Sequence, residues 1–264
     1  MQMQLVSAKG TAINTTIAAL TAVSGDSLAV PNFDVSKNAW LLQLWADVQA
    51  VGTLRVRSPK WHDNVNGIRI DTVASDPTPL LPWGFRQRVY PGDNLIVELA
   101  GSATAGDEEF VSMLLAYEDL PGQQGQLWTP EQVQSRFAHL VTVENTITTL
   151  TTGVYTGAEA INAEVDQFQT DLLYAILGYK VDTECAAVRW RSPSWANTGV
   201  GGPGIETEAW LTSDWFSYLS ERYKLPLIPV FSGNDKASVL IDALQDENGA
   251  DVTVTTYLAA MRRS

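Results

Sequence analysis

An internal repeat constrains this chain more than any other feature. RVRSPKW (55–61) and RWRSPSW (189–195) stand 134 positions apart, a match that one short stretch could reach by chance. It gains weight because the surroundings repeat in the same order. VYPGDN (89–94) pairs with VFSGND (230–235) at an offset of 141, and EFVSMLLAY (109–117) with DVTVTTYLA (251–259) at 142. Upstream, INTTIAALTAVSGDSLAVPNF (13–33) and ENTITTLTTGVYTGAEAINAEVDQF (144–168) share a looser, Thr-rich alternation. Solenoid repeats are far shorter, so the pattern predicts two similar halves, the second lengthened by a few residues.

Within each half the signal is β. WLLQLWADVQAV (40–51), GTLRVRS (52–58), NLIVELAG (94–101) and FVSMLLAYE (110–118) have strand composition, many of them bounded by Gly, Pro, Asn or Asp. The second half answers with LLYAILGYKV (172–181), AAVRWRS (186–192), LPLIPVF (225–231), SVLIDAL (238–244) and DVTVTTYLAA (251–260). Roughly eight short strands per half is the rhythm of a β-sandwich. Two segments read as helix. WTPEQVQSRFAHL has Thr129 as N-cap, Pro130 at the first position and an apolar series of Val133, Phe137 and Leu140. SDWFSYLSERYK (213–224), with Ser213 as N-cap, has a face of Trp215, Phe216, Leu219 and Tyr223. It falls where the offset grows, in the place of SDPTPLLPW (75–83). The expected layout is an all-β chain: one sandwich over 1–127, a connecting helix over 128–140 and a second sandwich over 141–264, with short helical insertions.

Little here points to catalysis. The only histidines, His62 and His139, are not at matching positions, and no G-x-S-x-G, Walker A, H-E-x-x-H or C-x-x-C pattern occurs. VYPGDN resembles the Pro-x-Gly turn of cupins, yet the histidine cluster of their metal site is missing. We therefore expect no enzymatic activity. Asp246, Asn248 and Asp251 around Gly249, and Asp63 and Asn66, have an oxygen spacing suited to a structural calcium ion. Tight hairpins select the same residues, and that reading is the weightier. No cofactor is expected beyond that ion.

A net charge of −13 argues against direct or sequence-specific nucleic-acid binding, which needs concentrated basic surface. No apolar run reaches the eighteen residues of a membrane span, and the first residues lack the charged and apolar regions of a signal peptide. Cys185, the only cysteine, sits among apolar residues and reads as a buried thiol. Trp40, Trp45, Trp190, Trp210 and Trp215 lie in apolar runs and read as core or subunit-contact residues. The duplicated corners (Arg57, Pro59, Trp61 and Arg191, Pro193, Trp195) read as one strand end built twice, its ring packed under a loop. The competing reading makes Trp61 and Trp195 exposed sugar platforms of a virion or cell-surface glycan-binding or spike protein.

Two tandem similar sandwiches, with their paired corners, strand rhythm and SDWFSYLSERYK insertion, resemble the double jelly-roll major capsid proteins of tailless icosahedral viruses with an internal membrane. The corticovirus, finnlakevirus and tectivirus types are the ones in view. The resemblance implies a homotrimer that fills a pseudo-hexagonal place in a capsid lattice, assembled in host cytoplasm and located in the virion. It implies minor capsid or penton proteins as partners. It also implies chain ends at the base of the shell, where Lys9, Arg262 and Arg263 would face the membrane or membrane-associated viral proteins.

Overall fold

The computed structural model describes residues 1–11, 16–72, 77–104, 107–118, 120, 126–148, 151–206, 209–245 and 251–263. The first half contains β1 (Gln2–Thr11), β2 (Ala18–Ala19), β3 (Thr21–Ala22), β4 (Ala39–Asp47), β5 (Thr53–Arg57), β6 (Ile68–Asp71), β7 (Gln87–Val89), β8 (Ile96–Ala100) and β9 (Glu108–Tyr117). Then come β10 (Leu127–Trp128), α1 (Pro130–Gln134), β11 (Phe137–Ile147), β12 (Tyr155–Ala160), β13 (Leu172–Val181), β14 (Cys185–Arg191) and β15 (Val200–Gly204). The chain finishes with α2 (Trp215–Tyr223), β16 (Ile228–Ser232), β17 (Leu240–Leu244) and β18 (Val252–Arg262).

These strands form two sandwiches of the same topology. The first pairs a sheet ordered β3-β1-β9-β4-β7 with one ordered β2-β8-β5-β6. The second pairs β10-β16-β13-β18-β11 with β12-β17-β14-β15. Without the short edge strands β3 and β10, each half is eight antiparallel strands in two four-stranded sheets, the last strand lying between the first and the third. That is a jelly roll, and the chain is a double one. Even an irregularity is duplicated: the third of the eight strands of each half has a register shift, between Leu41 and Gln43 in β4 and between Ile176 and Gly178 in β13. A Cβ on Gly178 would overlap the carbonyl of Ser213, so glycine here lets the lead-in to α2 close on β13.

Both predicted helices exist, with corrected bounds. α1 has the expected Thr129 capping box and Pro, but only five residues, and only Val133 of its apolar series is buried. Phe137 and Leu140 belong to β11, whose ladder along β18 runs from Phe137 to Ile147. An eleven-residue ladder outweighs the helical spacing of three side chains, so helix does not fill 128–140, and the second sandwich's first strand starts before 141. α2 lies between β15 and β16 as the repeat offset requires. Its N-cap is Asp214, not Ser213, and that side chain makes no capping bond. No helix among the described residues is long and apolar enough to cross a membrane.

Two apolar clusters hold the molecule. One fills the first sandwich. The other fills the second and draws in Met3, Leu5, Trp40, Trp45, Phe110 and Leu114 from the first half's larger sheet. That sheet is covered on both faces. Every residue of β4 is accordingly buried, and its sequence AWLLQLWAD reads as a near-continuous apolar run. Cys185 is buried, and Trp40, Trp45, Trp190 and Trp215 are core residues, whereas Trp210 is 69% exposed.

Candidate functional site

The repeated heptapeptide turns out to build a charged clamp and a corner. On β5, Leu54 and Val56 point into the sandwich, so Arg55 and Arg57 point out. Both reach Glu98 on β8: Arg55 Nε lies 2.6 Å from Oε2, and Arg57 binds both oxygens at 3.0 and 3.2 Å. On β14 the same geometry recurs with Asp242 of β17. Arg191 binds both carboxylate oxygens at 2.6 and 3.0 Å, and Arg189 Nε donates at 3.0 Å. The hydrogen bond from Arg57, with help from Arg55, outweighs burial and holds Glu98 below the usual carboxylate range. Asp242 feels burial most strongly, but its two guanidinium partners still hold it low.

Where each of these strands ends, Ser-Pro turns the chain. Ser58 Oγ donates to Asp93 and accepts the Lys60 N–H, while Ser192 Oγ accepts the Ser194 N–H. In both corners the backbone N–H of the tryptophan, Trp61 or Trp195, donates to the serine carbonyl at 3.1 Å. Both rings are buried. A sugar platform needs an open ring face, so neither tryptophan is one.

The two clamps differ in what lies outside them. Arg189 also donates to Asp26 of the first half at 3.1 Å, and its guanidinium lies 3.6 Å from the ring centre of Tyr155. Tyr155 hydrogen-bonds Ser7 Oγ at 2.8 Å, Ser7 Oγ meets Ser112 Oγ at 2.7 Å, and Asp26 accepts the Ser7 N–H at 2.7 Å. This polar seam joins the first half's larger sheet to the second half's smaller one. Burial raises Asp26 to about 6, against the opposing pull of the Ser7 N–H and Arg189. Around it the seam is apolar. Trp45 Nε1 donates to the Ala186 carbonyl at 2.9 Å, Trp215 meets Trp45 and Trp83 edge to face, and Tyr223 Oη donates to the Leu42 carbonyl. A Cβ on Gly201 would collide with the Val188 carbonyl and Leu5, which explains glycine where the halves come closest.

The matching face on the second half's larger sheet is open. Phe137 is 47% exposed and Leu140 68%. Beside them Pro130, Val133, Phe137, Leu177, Ile228 and Ala259 line a groove of about 300 Å³.

The three basic residues expected at one end do not meet. Arg263 donates to the Thr170 carbonyl at 2.9 Å and to Ser232, and its own carbonyl accepts from Arg136. Arg262 precedes it at the end of β18, the end of the second sandwich where β11 begins. Lys9 lies 3.9 Å from Glu108, near Gly153 and the opposite end of β11. β18 has eleven residues, so roughly 34 Å separates these ends. Sequence spacing carries no such information, because strand direction decides which end a residue reaches.

Asp246 and Asn248 lie outside the described residues, and Asp251 is exposed just before β18. Asp63 accepts the Val65 and Asn66 N–H groups, the turn role of such residues. Among the described residues no three His, Cys, Asp or Glu side chains are grouped to hold a metal ion. Glu98, Asp242 and Asp26 were not among the sequence-derived candidates. A signal existed for the first two, each a lone acid in an apolar strand of matching position (NLIVELAG, SVLIDAL). None existed for Asp26.

The sequence matches no family description and no curated protein. Among solved structures the fold is weakly similar to the PBSX exported protein XepA. There the identity is 10% and the TM-score 0.30, over 97% of this chain and 86% of that one. It is also weakly similar to a chain in the atomic structure of Sulfolobus Turreted Icosahedral Virus, at 9% identity and TM-score 0.22, over 99% and 83%. Likeness at this level carries no argument, and the jelly-roll assignment rests on strand order and register.

Proposed function

We propose that this chain is a structural protein of a virion shell, a major capsid protein whose trimer presents six similar sandwiches to a pseudo-hexagonal lattice. One observation carries the reading. Two sandwiches of one topology stand side by side, and the seam between them covers a sheet face whose counterpart on the second sandwich exposes Phe137 and Leu140 beside an apolar groove. A contact that joins unlike faces continues from copy to copy, and it closes into a ring where the rotation allows. Three copies of two sandwiches give that ring six similar lobes.

In this reading Arg262 and Arg263 face an internal membrane or an inner protein, at about 1 kcal/mol per charge near anionic lipid, and Lys9 does not. Penton or minor capsid proteins and membrane-associated viral proteins are its partners. The chain has no catalytic role and needs no cofactor. Light scattering coupled to size exclusion, with negative-stain microscopy of the purified chain, tests the reading. Hexagon-shaped trimers are expected, and a monodisperse monomer at tens of micromolar would overturn it.

A further inference from the structure

The seam inside one chain serves as a template for the contact between chains. Register makes Leu42 and Leu177 the same residue of the duplicated bulge, since Leu41 opposite Leu115 corresponds to Ile176 opposite Leu258. Ala116 and Ala259 correspond in the same way. Leu42 and Ala116 are fully buried in the seam; Leu177 is only partly buried where it lines the groove, and the buried Ala259 forms part of the groove's floor. Tyr223, on the last turn of α2, hydrogen-bonds the Leu42 carbonyl, and α2 belongs to the connection between β15 and β16. The corresponding connection of the first half runs between β6 and β7. Both connections dock on the bulged strand of their own half, through Leu80 N–H to the Leu44 carbonyl at 2.9 Å and Tyr179 N–H to the Thr212 carbonyl at 2.8 Å. The first half's connection carries Phe85, 74% exposed.

The charges point the same way. Arg189 and Arg191 have two carboxylates, Asp242 and, across the seam, Asp26. Among the described residues, Arg55 and Arg57 share one ion-pair partner, Glu98. Asp26 is held by the Ser7 N–H on β1. On β11, the corresponding strand of the second half, the exposed Glu164 accepts the N–H of Thr146, whose register counterpart on β1 is Lys9, two residues beyond Ser7. Glu221 on the groove's lining and Arg86 beside Phe85 are opposite charges as well.

We infer that a second copy of this chain seats its first sandwich on the open face of the second sandwich. Phe85 enters the groove beside Leu177 and Ala259, and Glu164 supplies the carboxylate that Arg55 and Arg57 lack. The inference rests on the proposed function and names the residues of its contact.

The test uses full-length chains. Phe85→Cys and Leu177→Cys are made in separate chains and mixed under mild oxidation, Cys185 being buried. A disulfide-linked pair is expected in the mixture and absent from either variant alone, because the contact joins unlike faces. Phe85→Asp changes an exposed residue, so its circular dichroism and melting temperature should match the wild type. Its dissociation constant should rise roughly 30-fold, as for an aromatic hot spot. Glu164→Arg should weaken association in the same direction. If the wild type forms trimers while the mixture fails to cross-link and both charged variants assemble normally, the inference falls and the proposed function stands. A wild type that stays monomeric overturns both.

Discussion

The two sandwiches share a topology, a bulge, a Ser-Pro corner and an Arg-x-Arg clamp, yet they stand in opposite conditions. The first half's larger sheet is buried on both faces, and its strand β4 has no exposed residue. The corresponding sheet of the second half ends in β11, which still alternates between buried and exposed positions. Similar sequence thus made similar sandwiches, while position in the chain decided which face was covered. Arg189 shows the consequence at one residue. It makes the clamp that Arg55 makes, and then reaches Asp26 because the first half lies against it.

The sharpest way to break this comparison is to empty the seam. Trp45→Ala removes a fully buried ring that touches Trp215 and donates to Ala186, and should cost about 3–5 kcal/mol in denaturant unfolding. Next come the two clamps. Asp242→Ala removes the more buried of the two carboxylates, leaving Arg191 without its partner and Arg189 with Asp26 alone, and should cost about 3 kcal/mol. Glu98→Ala, at a carboxylate closer to water, should cost about 1 kcal/mol. Equal losses would mean that the seam adds nothing to the second clamp.

A pH series separates the seam further. Asp26 is raised from 3.8 to about 6, so the folded protein binds its proton more tightly than the unfolded chain does. Its contribution is present in full below pH 3.8 and is lost as pH rises through about 6. Between pH 5 and 7 the wild type should lose about 1 kcal/mol relative to Asp26→Asn. A difference that is flat with pH would place Asp26 in water. The smallest effect is expected on the open face: Leu140→Ser should change monomer stability by no more than about 0.5 kcal/mol while weakening self-association.

Strand identity was largely legible, since runs such as LLYAILGYKV and FVSMLLAYE coincide with strands of nearly the same bounds. The corners were legible too: Trp61 and Trp195 are buried just past their strand ends, and their order along the chain marked the duplication. Phe137 and Leu140 misled because apolar residues at helical spacing can equally be exposed positions at the start of a strand, and here β11 begins at Phe137. The arginines of the clamps were visible, but their function was not, because a clamp needs the register that sets Arg55 opposite Glu98 and Arg189 opposite Asp242. Lys9 was grouped wrongly with Arg262 and Arg263 for a related reason, as charge composition says nothing about which end of a sandwich a strand delivers.

From sequence alone came the repeat, the β class, the place of the inserted helix and the corner residues, because local turn chemistry and apolar periodicity act over a few neighbouring positions. Tertiary structure alone decided that the first half's larger sheet is covered on both sides, that Asp26 meets Arg189 across 163 residues of chain, and that the groove beside Leu177 stays open. Those outcomes depend on how two finished sandwiches stack, and stacking is set by whole sheet faces, which no short stretch of sequence contains.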